Sequence, residues 1–105
     1  MAIKTNTKLN NVVNKLIDSL KDENIIFYEV YLFGSYINGT PDEWSDIDVA
    51  IVVDEKYDLF DTQLKIMKLS RNIDIDIEVH LFNKKMFNLD NPICYQIIET
   101  GKKVA

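Results

Sequence analysis

The sequence predicts an α+β fold, of α/β character, in which a small mixed β-sheet is flanked by helices. Three segments carry apolar residues at the spacing of amphipathic helices, and three short runs are rich in β-branched and aromatic residues. These helical and extended segments follow one another along the 105 residues without a Pro/Gly/Ser-rich linker. We therefore expect a single domain over residues 1–105.

The first half of the chain predicts one helix and two strands. Apolar residues at helical spacing predict a helix over about residues 7–22. A β-branched and aromatic run predicts a strand over 25–33 that ends at Gly34. Residues 34–43 are expected to form a connector and a loop, and a second strand is predicted over 47–53.

The second half predicts a helix, a strand and a last helix. The helix covers about residues 58–71, with Phe60, Leu64, Met67 and Arg71 on one face. Residues 73–82 alternate between apolar and polar side chains almost throughout, which is typical of a strand.

The last helix has recognisable start and stop signals. Asn91-Pro92 offers a capping residue followed by proline at the first helical position, and Gly101 is placed to end the helix. Its buried face is expected to consist of Ile93, Cys94, Ile97 and Ile98.

Composition narrows the function classes. A net charge of −5 disfavours bulk binding to nucleic acid, which needs basic residues to displace counterions, and fits a small nucleotide or a basic protein better. Cys94 is the only cysteine, which excludes an intramolecular disulfide and a cysteine metal cluster. No apolar run approaches the roughly 18 residues of a membrane span, and no signal-peptide core is present, so a cytoplasmic location is expected.

Two acidic side chains at the head of the second strand form the first candidate site. Asp46 and Asp48 are two residues apart, so both leave the same face of the strand. Neighbouring carboxylates repel one another unless a cation lies between them, and no lysine or arginine occurs between Ile37 and Lys56. A hard divalent cation such as Mg²⁺ or Mn²⁺ would satisfy the pair.

Gly34 and Ser35 form a second candidate site where the first strand ends. A glycine lets the backbone approach a phosphate closely, and free N–H groups at such a turn bind anions. An ordinary strand-ending turn is the alternative interpretation. The combination is more specific, because the paired acids follow within about a dozen residues and bring an anion site next to a metal site.

The third strand offers further acids for the same site. Asp74, Asp76, Glu78 and His80 share one face of the predicted strand. A solvated acidic face on an edge strand is the alternative. If this strand lies beside the second, one of its acids reaches the same metals, and three carboxylates with triphosphate oxygens can surround two divalent ions.

These residues resemble the minimal nucleotidyltransferase (MNT) family of the DNA polymerase β superfamily. The family pattern is Gly-Ser, a short spacer ending in Gly, a loop, Ser-Asp-hydrophobic-Asp on a strand, and a third acid on a later strand. The matching positions are Gly34, Ser35, Gly39, Ser45, Asp46 and Asp48, with the third acid among Asp74, Asp76 and Glu78.

The resemblance implies a nucleotidyltransferase fold, two Mg²⁺ ions with Mn²⁺ as a substitute, and a nucleoside triphosphate attacked at its α-phosphate. Gly34 and Ser35 would hold the β- and γ-phosphates, and Asp46 and Asp48 would bridge both metals. Glu78 is favoured as the third, catalytic carboxylate, because acid-x-His-x-Phe resembles the ending seen in some relatives. Asp76 is the runner-up.

The resemblance also implies a partner. Family members of this size often pair with a small helical HEPN protein as a toxin–antitoxin couple, in which the transferase is the antitoxin and moves AMP from ATP to a tyrosine hydroxyl of the partner. Two other functions stay open. One is a catalytically weak antitoxin that neutralises its partner by direct contact, and the other is a domain stabilised by Mg²⁺ or Ca²⁺ without a nucleotide.

Overall fold

The fold places helices on both sides of a mixed four-stranded sheet. The computed structural model describes residues 7–34, 46–74 and 76–105. Within these ranges the elements are α1 (Thr7–Asp22), β1 (Phe27–Phe33), β2 (Ile47–Val53), α2 (Leu59–Arg71), β3 (Ile77–Asn83), α3 (Pro92–Thr100) and β4 (Lys102–Lys103). The predicted fold class is confirmed.

The strand order is β3-β2-β1-β4. β1 pairs antiparallel with β2 and with β4, whereas β2 pairs parallel with β3. The parallel pair is joined through α2, as a parallel connection requires a crossover. β2 is consequently an inner strand, and six of its seven residues are buried.

One face of the sheet packs against α1 and α2 and forms the main core. Alternate residues of the three long strands point to this side, as the two-residue period of a strand requires. The core residues from these strands and helices include Leu9, Leu16, Leu20, Val30, Leu32, Ile47, Val49, Ile51, Val53, Ile66, Ile77 and Val79. Among the described residues, no helix is both long enough and apolar enough to cross a membrane.

The other face carries a smaller core under α3. Tyr31, Ala50 and Phe82 lie on the three long strands and pack with Cys94 and Ile97 of the helix. Burial raises the pKa of the Cys94 thiol and is also the main cause of the raised pKa of Tyr31. This helix covers only part of its face, which leaves the side chains at one end of the sheet accessible.

The predicted α2 is confirmed, but Phe60, Leu64 and Arg71 of its predicted face are exposed, and only Met67 of that face packs partly against the core. The residues that point to the sheet are Thr62, Ile66 and Ser70, which follow one another at four-residue intervals. Ser70 Oγ donates to the carbonyl of Met67, so its burial leaves no hydroxyl unsatisfied. Phe60 is 72% exposed and Leu64 43% exposed.

The predicted strand over residues 73–82 was wrong at its start, because β3 begins only at Ile77. The Asp74 backbone N–H donates to the carbonyl of Ser70 at the end of α2, and the Asp74 carboxylate accepts from the N–H of Asp76. These contacts are those of a turn that leaves the helix, and they take the place of strand pairing. β1 likewise begins at Phe27, two residues later than predicted.

The start and end of α3 are confirmed. Asn91 accepts from the N–H groups of Ile93 and Cys94, and Pro92 occupies the first turn. Gly101 ends the helix in extended conformation and donates its N–H to the carbonyl of Ile97 at 2.8 Å.

Two features of this region differ from the sequence prediction. Ile93 was expected to be buried but is 61% exposed, because the helix turns only Cys94 and Ile97 fully onto the sheet. The short β4 was not predicted, and it pairs with Leu32 and Tyr31 of β1 directly after the helix ends.

Candidate active site

Strand pairing brings distant parts of the sequence to one end of the sheet. Asp48, the second residue of β2, lies opposite Phe33 of β1 and opposite Glu78, the second residue of β3. Side chains at paired positions leave the same face. The carboxylate of Asp48 therefore lies between the end of β1 and the side chain of Glu78.

Gly34 lies directly beside this carboxylate. It follows β1 with a φ of +84°, a conformation that residues with a Cβ rarely adopt. A Cβ at position 34 would collide with the carboxylate of Asp48. Gly34 therefore lies against one of the paired acids, Asp48, and the absence of a side chain is what permits this approach.

The core of the site is a cluster of two carboxylates and one imidazole. His80 Nε2 lies 3.3 Å from Asp48 Oδ1 and 4.0 Å from Glu78 Oε1. One ligand atom from each of the three residues lies within 4.8 Å of the others. The side chain of Asp48 is 22% exposed, that of His80 35% and that of Glu78 56%, so the cluster opens to solvent on the Glu78 side.

The sequence places His80 on the same strand face as the acids without making it a site residue, and the structure places it in the centre of the cluster. Its position on β3 pairs with Ala50 of β2, and its imidazole reaches Asp48, two residues before Ala50. The ring of Phe33 packs against the imidazole at a centroid distance of 5.0 Å in an edge arrangement. The signal in the sequence was the two-residue spacing of Glu78 and His80.

The remaining predicted acids are not part of this cluster. Asp46 is exposed and stands one residue before β2. Asp76 precedes β3, and its carbonyl accepts from the N–H of Ile47. Asp74 lies in the turn after α2. The geometry thus favours Glu78 over Asp76 as the third acid, while the catalytic roles stay predictions. Ser35, Gly39 and Ser45 lie outside the described residues.

The donor set suits a divalent cation. Two carboxylates at close quarters are stabilised by a cation between them, and oxygen with nitrogen donors binds several divalent metals. Asp48, Glu78 and His80 would hold such an ion. The residues present therefore fit a metal site.

A pocket lies beside Gly34, on the side of the site that faces α3. Its volume is about 280 Å³, and it is lined by Phe33, Gly34, Ile93, Gln96, Ile97 and Thr100. A larger pocket of about 440 Å³ lies between α1 and β4, away from Gly34, and neither of these two pockets is lined by Asp48, Glu78 or His80. The pocket beside Gly34 offers an apolar wall with two polar groups next to the carboxylates.

Comparison with known proteins supplies the family. The profile of the family described as polymerase beta, nucleotidyltransferase matches residues 14–105. The chain belongs to this family. The resemblance to minimal nucleotidyltransferases of the DNA polymerase β superfamily is thereby confirmed, and the matched range contains the whole Asp48–Glu78–His80 cluster.

Two relatives in this nucleotidyltransferase family have named functions. The protein adenylyltransferase MntA of Shewanella oneidensis is 30% identical over 91 residues, which cover 87% of this chain. A provisionally named protein adenylyltransferase of Methanocaldococcus jannaschii is 32% identical over 98 residues, or 92% of this chain. The chain spans 63% of the length of the Shewanella protein and 94% of that of the Methanocaldococcus protein.

A solved structure extends the likeness to three dimensions. A toxin–antitoxin crystallised with AMP-PNP superimposes with a TM-score of 0.63 at 31% identity, covering 86% of this chain and 69% of that one. The described elements therefore form a nucleotidyltransferase fold of this family.

Proposed function

We propose that this chain is a divalent-metal-dependent nucleotidyltransferase that moves AMP from ATP to a hydroxyl group of a partner protein. The observation that carries the proposal is the convergence of Asp48, Glu78 and His80 beside Gly34 in a chain of the nucleotidyltransferase family. The names of the two relatives support AMP as the transferred group and a protein as the acceptor. The AMP-PNP in the similar structure supports an adenine nucleotide as the donor.

The reaction exchanges one P–O bond for another. The acceptor oxygen bonds to the α-phosphorus, the bond from that phosphorus to the oxygen bridging to the β-phosphate breaks, and pyrophosphate leaves. The hydroxyl proton passes to a carboxylate or to water. Divalent ions at such a site neutralise the charge of the phosphate oxygens and make the attacking hydroxyl more acidic.

Each residue of the site is proposed to have a different role in this reaction, according to its position. Gly34 lets the backbone approach the triphosphate, with Ser35 predicted beside it. Asp46 and Asp48 are proposed as ligands of both metals. Glu78 is the most exposed carboxylate of the cluster, so we place it on the acceptor side, where it binds the catalytic metal and helps remove the hydroxyl proton.

An exposed apolar segment supports a protein as the acceptor. Four apolar side chains are exposed in this part of the chain: Met86, Leu89, Ile93 and Tyr95. They fall within ten residues of sequence, the first two before α3 and the last two in its first turn. Ile93 also lines the pocket beside Gly34. Exposed apolar side chains gathered in this way are typical of protein contacts, and a partner docked here would bring its hydroxyl next to the carboxylates.

We infer further that the pair is a toxin–antitoxin couple in which this chain is the antitoxin. The similar toxin–antitoxin structure supports this role. That the toxin is a small helical HEPN protein, and that both proteins are cytoplasmic, follows from the resemblance and the sequence alone.

Intact-mass spectrometry tests the transfer. The purified chain is incubated with ATP, Mg²⁺ and the protein encoded beside it, and we expect the partner to gain the mass of one AMP group per modified site. Asp48→Asn and Glu78→Gln should each lower the rate at least about 100-fold, because each removes a charged donor from the cluster.

Glu99→Gln, a variant at an exposed acid of α3 outside the cluster, is the matched control and should transfer AMP normally. A folded protein that adds no mass, or an Asp48→Asn variant that transfers normally, would refute the proposal.

The exposed apolar segment also favours a second candidate, an antitoxin that acts by contact alone. The double variant Asp46→Asn with Asp48→Asn separates the two. If the toxin is still neutralised while transfer is abolished, contact is sufficient. If neutralisation disappears together with transfer while the two proteins still associate, the catalytic function is the biological one.

A further inference from the structure

We propose that His80 is a metal ligand, and that its nitrogen makes the site prefer a divalent first-row transition ion over Mg²⁺. The inference rests on the proposed function only in placing a divalent ion among Asp48, Glu78 and His80. The metal roles assigned above belong to carboxylates alone and leave the histidine of the acid-x-His-x-Phe ending without a role, whereas the structure places its imidazole in the centre of the site.

The distances allow the three side chains to share one ion. A charge-assisted hydrogen bond between imidazole and carboxylate has an N···O distance of about 2.7–2.9 Å. His80 Nε2 is 3.3 Å from Asp48 Oδ1 and 4.0 Å from Glu78 Oε1, so neither contact is a tight one. With metal–ligand bonds of about 2.1 Å, two ligands of an octahedral ion lie about 3.0 Å apart when adjacent and about 4.2 Å apart when opposite. Both measured distances lie below this upper limit, and the three ligand atoms all lie within 4.8 Å of one another, so a small inward movement of the side chains would let one ion reach all three.

The surroundings of His80 hold its Nε2 toward the carboxylates. The ring of Phe33 packs against the imidazole on the β1 side, and the paired residue on β2 is the small Ala50. The side chain is only about one-third exposed. A histidine that merely solvated the surface would need neither the aromatic contact nor the small neighbour.

The ligand type determines which ions benefit. Mg²⁺ binds oxygen and keeps much of its water, and it gains little from an imidazole. Affinity for nitrogen-containing sites rises from Mn²⁺ through Fe²⁺ and Co²⁺ to Ni²⁺. A nitrogen donor between two carboxylates should therefore favour transition ions. The gain in affinity from the imidazole should be larger for Co²⁺ than for Mn²⁺.

The test measures binding of the ions themselves, without nucleotide or partner. The full chain, His80→Gln, Glu78→Gln and Glu99→Gln are titrated with CoCl₂, MnCl₂ and MgCl₂ by isothermal calorimetry, and Co²⁺ absorption reports the donor type. Glutamine is chosen because its amide keeps polarity and can offer oxygen where histidine offers nitrogen. Circular dichroism verifies that each variant is folded.

We expect His80→Gln to weaken Co²⁺ binding at least about tenfold, Mn²⁺ less, and Mg²⁺ by less than about threefold. Glu78→Gln should weaken all three ions, and Glu99→Gln none. Equal losses for Co²⁺ and Mg²⁺ in His80→Gln, unchanged Co²⁺ binding, or a wild-type chain that binds no ion at millimolar concentration would each overturn the assignment. AMP transfer that continues with Mg²⁺ in His80→Gln would leave the proposed function intact, so the two failures are distinguishable.

Discussion

At the scale of single residues, the backbone at Gly34 lies within direct contact distance of the Asp48 carboxylate, so a side chain at position 34 would displace that carboxylate. Two independent restraints act on this position, the positive φ and the contact that a Cβ would make. We predict that Gly34→Ala destabilises the fold by about 1–3 kcal/mol, because alanine is strained at this φ and its Cβ must displace the carboxylate. Urea unfolding measures the stability, and metal titration is expected to show at least a tenfold loss of affinity since the cluster is displaced.

Gly101→Ala is the matched control for this prediction. A Cβ there would approach the carbonyl oxygens of Ile97 and Leu32, so the variant should also be destabilised, but it leaves Asp48 in place. Loss of metal affinity in both variants would show that general destabilisation, rather than displacement of Asp48, is responsible.

The residues of the site were predictable to different degrees. The approach of Asp48 to Gly34 and to Glu78 follows from a glycine turn and from acids at the heads of strands, and the structure shows it. The position of His80 could not be derived, because it depends on the small Ala50 on the neighbouring strand and on the ring of Phe33. Such contacts are fixed by strand register, which a single sequence does not specify residue by residue.

At the scale of elements, one set of α3 side chains stabilises the fold and a different set is available for contact with a partner. Cys94 and Ile97 are buried against the sheet, while Ile93 is exposed at the pocket beside Gly34. We predict that Ile93→Asp changes the free energy of unfolding by less than about 0.5 kcal/mol, as is usual for an exposed position. The same variant should lower the rate of AMP transfer to the partner at least tenfold, since a charge would be buried in the apolar contact.

Leu64→Asp provides the comparison for α3. Leu64 is exposed on α2, which covers the opposite face of the sheet, so transfer should be unaffected. Transfer rates from the two variants are compared by intact mass, and partner affinity by calorimetry. Impairment in Leu64→Asp with normal transfer in Ile93→Asp would place the partner on the α2 face instead.

The elements themselves were predictable where local signals agree with packing. α1, β2 and α3 have the expected limits, because helical period, β-branched runs and the Asn91-Pro92 cap act locally. The alternation that predicted a strand from residue 73 was overridden by hydrogen bonds of Asp74 to its neighbours. β4 consists of two lysines, which carry no apolar alternation that would predict a strand. It forms because the chain, after α3 ends at Gly101, runs alongside β1 and pairs with it.

At the scale of the whole molecule, topology explains why the acids meet. β2 and β3 are parallel and connected through α2, so the heads of both strands lie at the same end of the sheet. β1 runs antiparallel to β2, which brings its last residues and Gly34 to that same end. α3 leaves this end of its face partly uncovered. The directions of the three strands therefore bring the carboxylate cluster and the glycine turn together. The negative charge of Asp48 and Glu78 is consequently concentrated at one end of the sheet.

This concentration of charge links metal binding to the stability of the whole chain. Asp48 and Glu78 stand close together only in the folded state, so a cation that binds between them binds the folded chain and not the unfolded one. A ligand that binds only the folded state stabilises it by about 2.7 kcal/mol at a hundred times its Kd. For a domain of this size that corresponds to an increase in Tm of roughly 10 °C or more. We therefore expect Mg²⁺ or Mn²⁺ to raise the Tm, EDTA to reverse the increase, and ATP to add to it only when metal is present.

The variant Asp48→Asn decides whether the cluster is the origin of this effect. It removes a charged donor of the cluster, so the increase in Tm on adding metal should largely disappear. Glu99→Gln keeps the cluster and should retain the full increase. Differential scanning calorimetry with and without each ion measures the increase in each variant. An undiminished increase in Asp48→Asn would mean that the stabilising ion binds elsewhere, and the carboxylates at the heads of β2 and β3 would then need another explanation for their proximity.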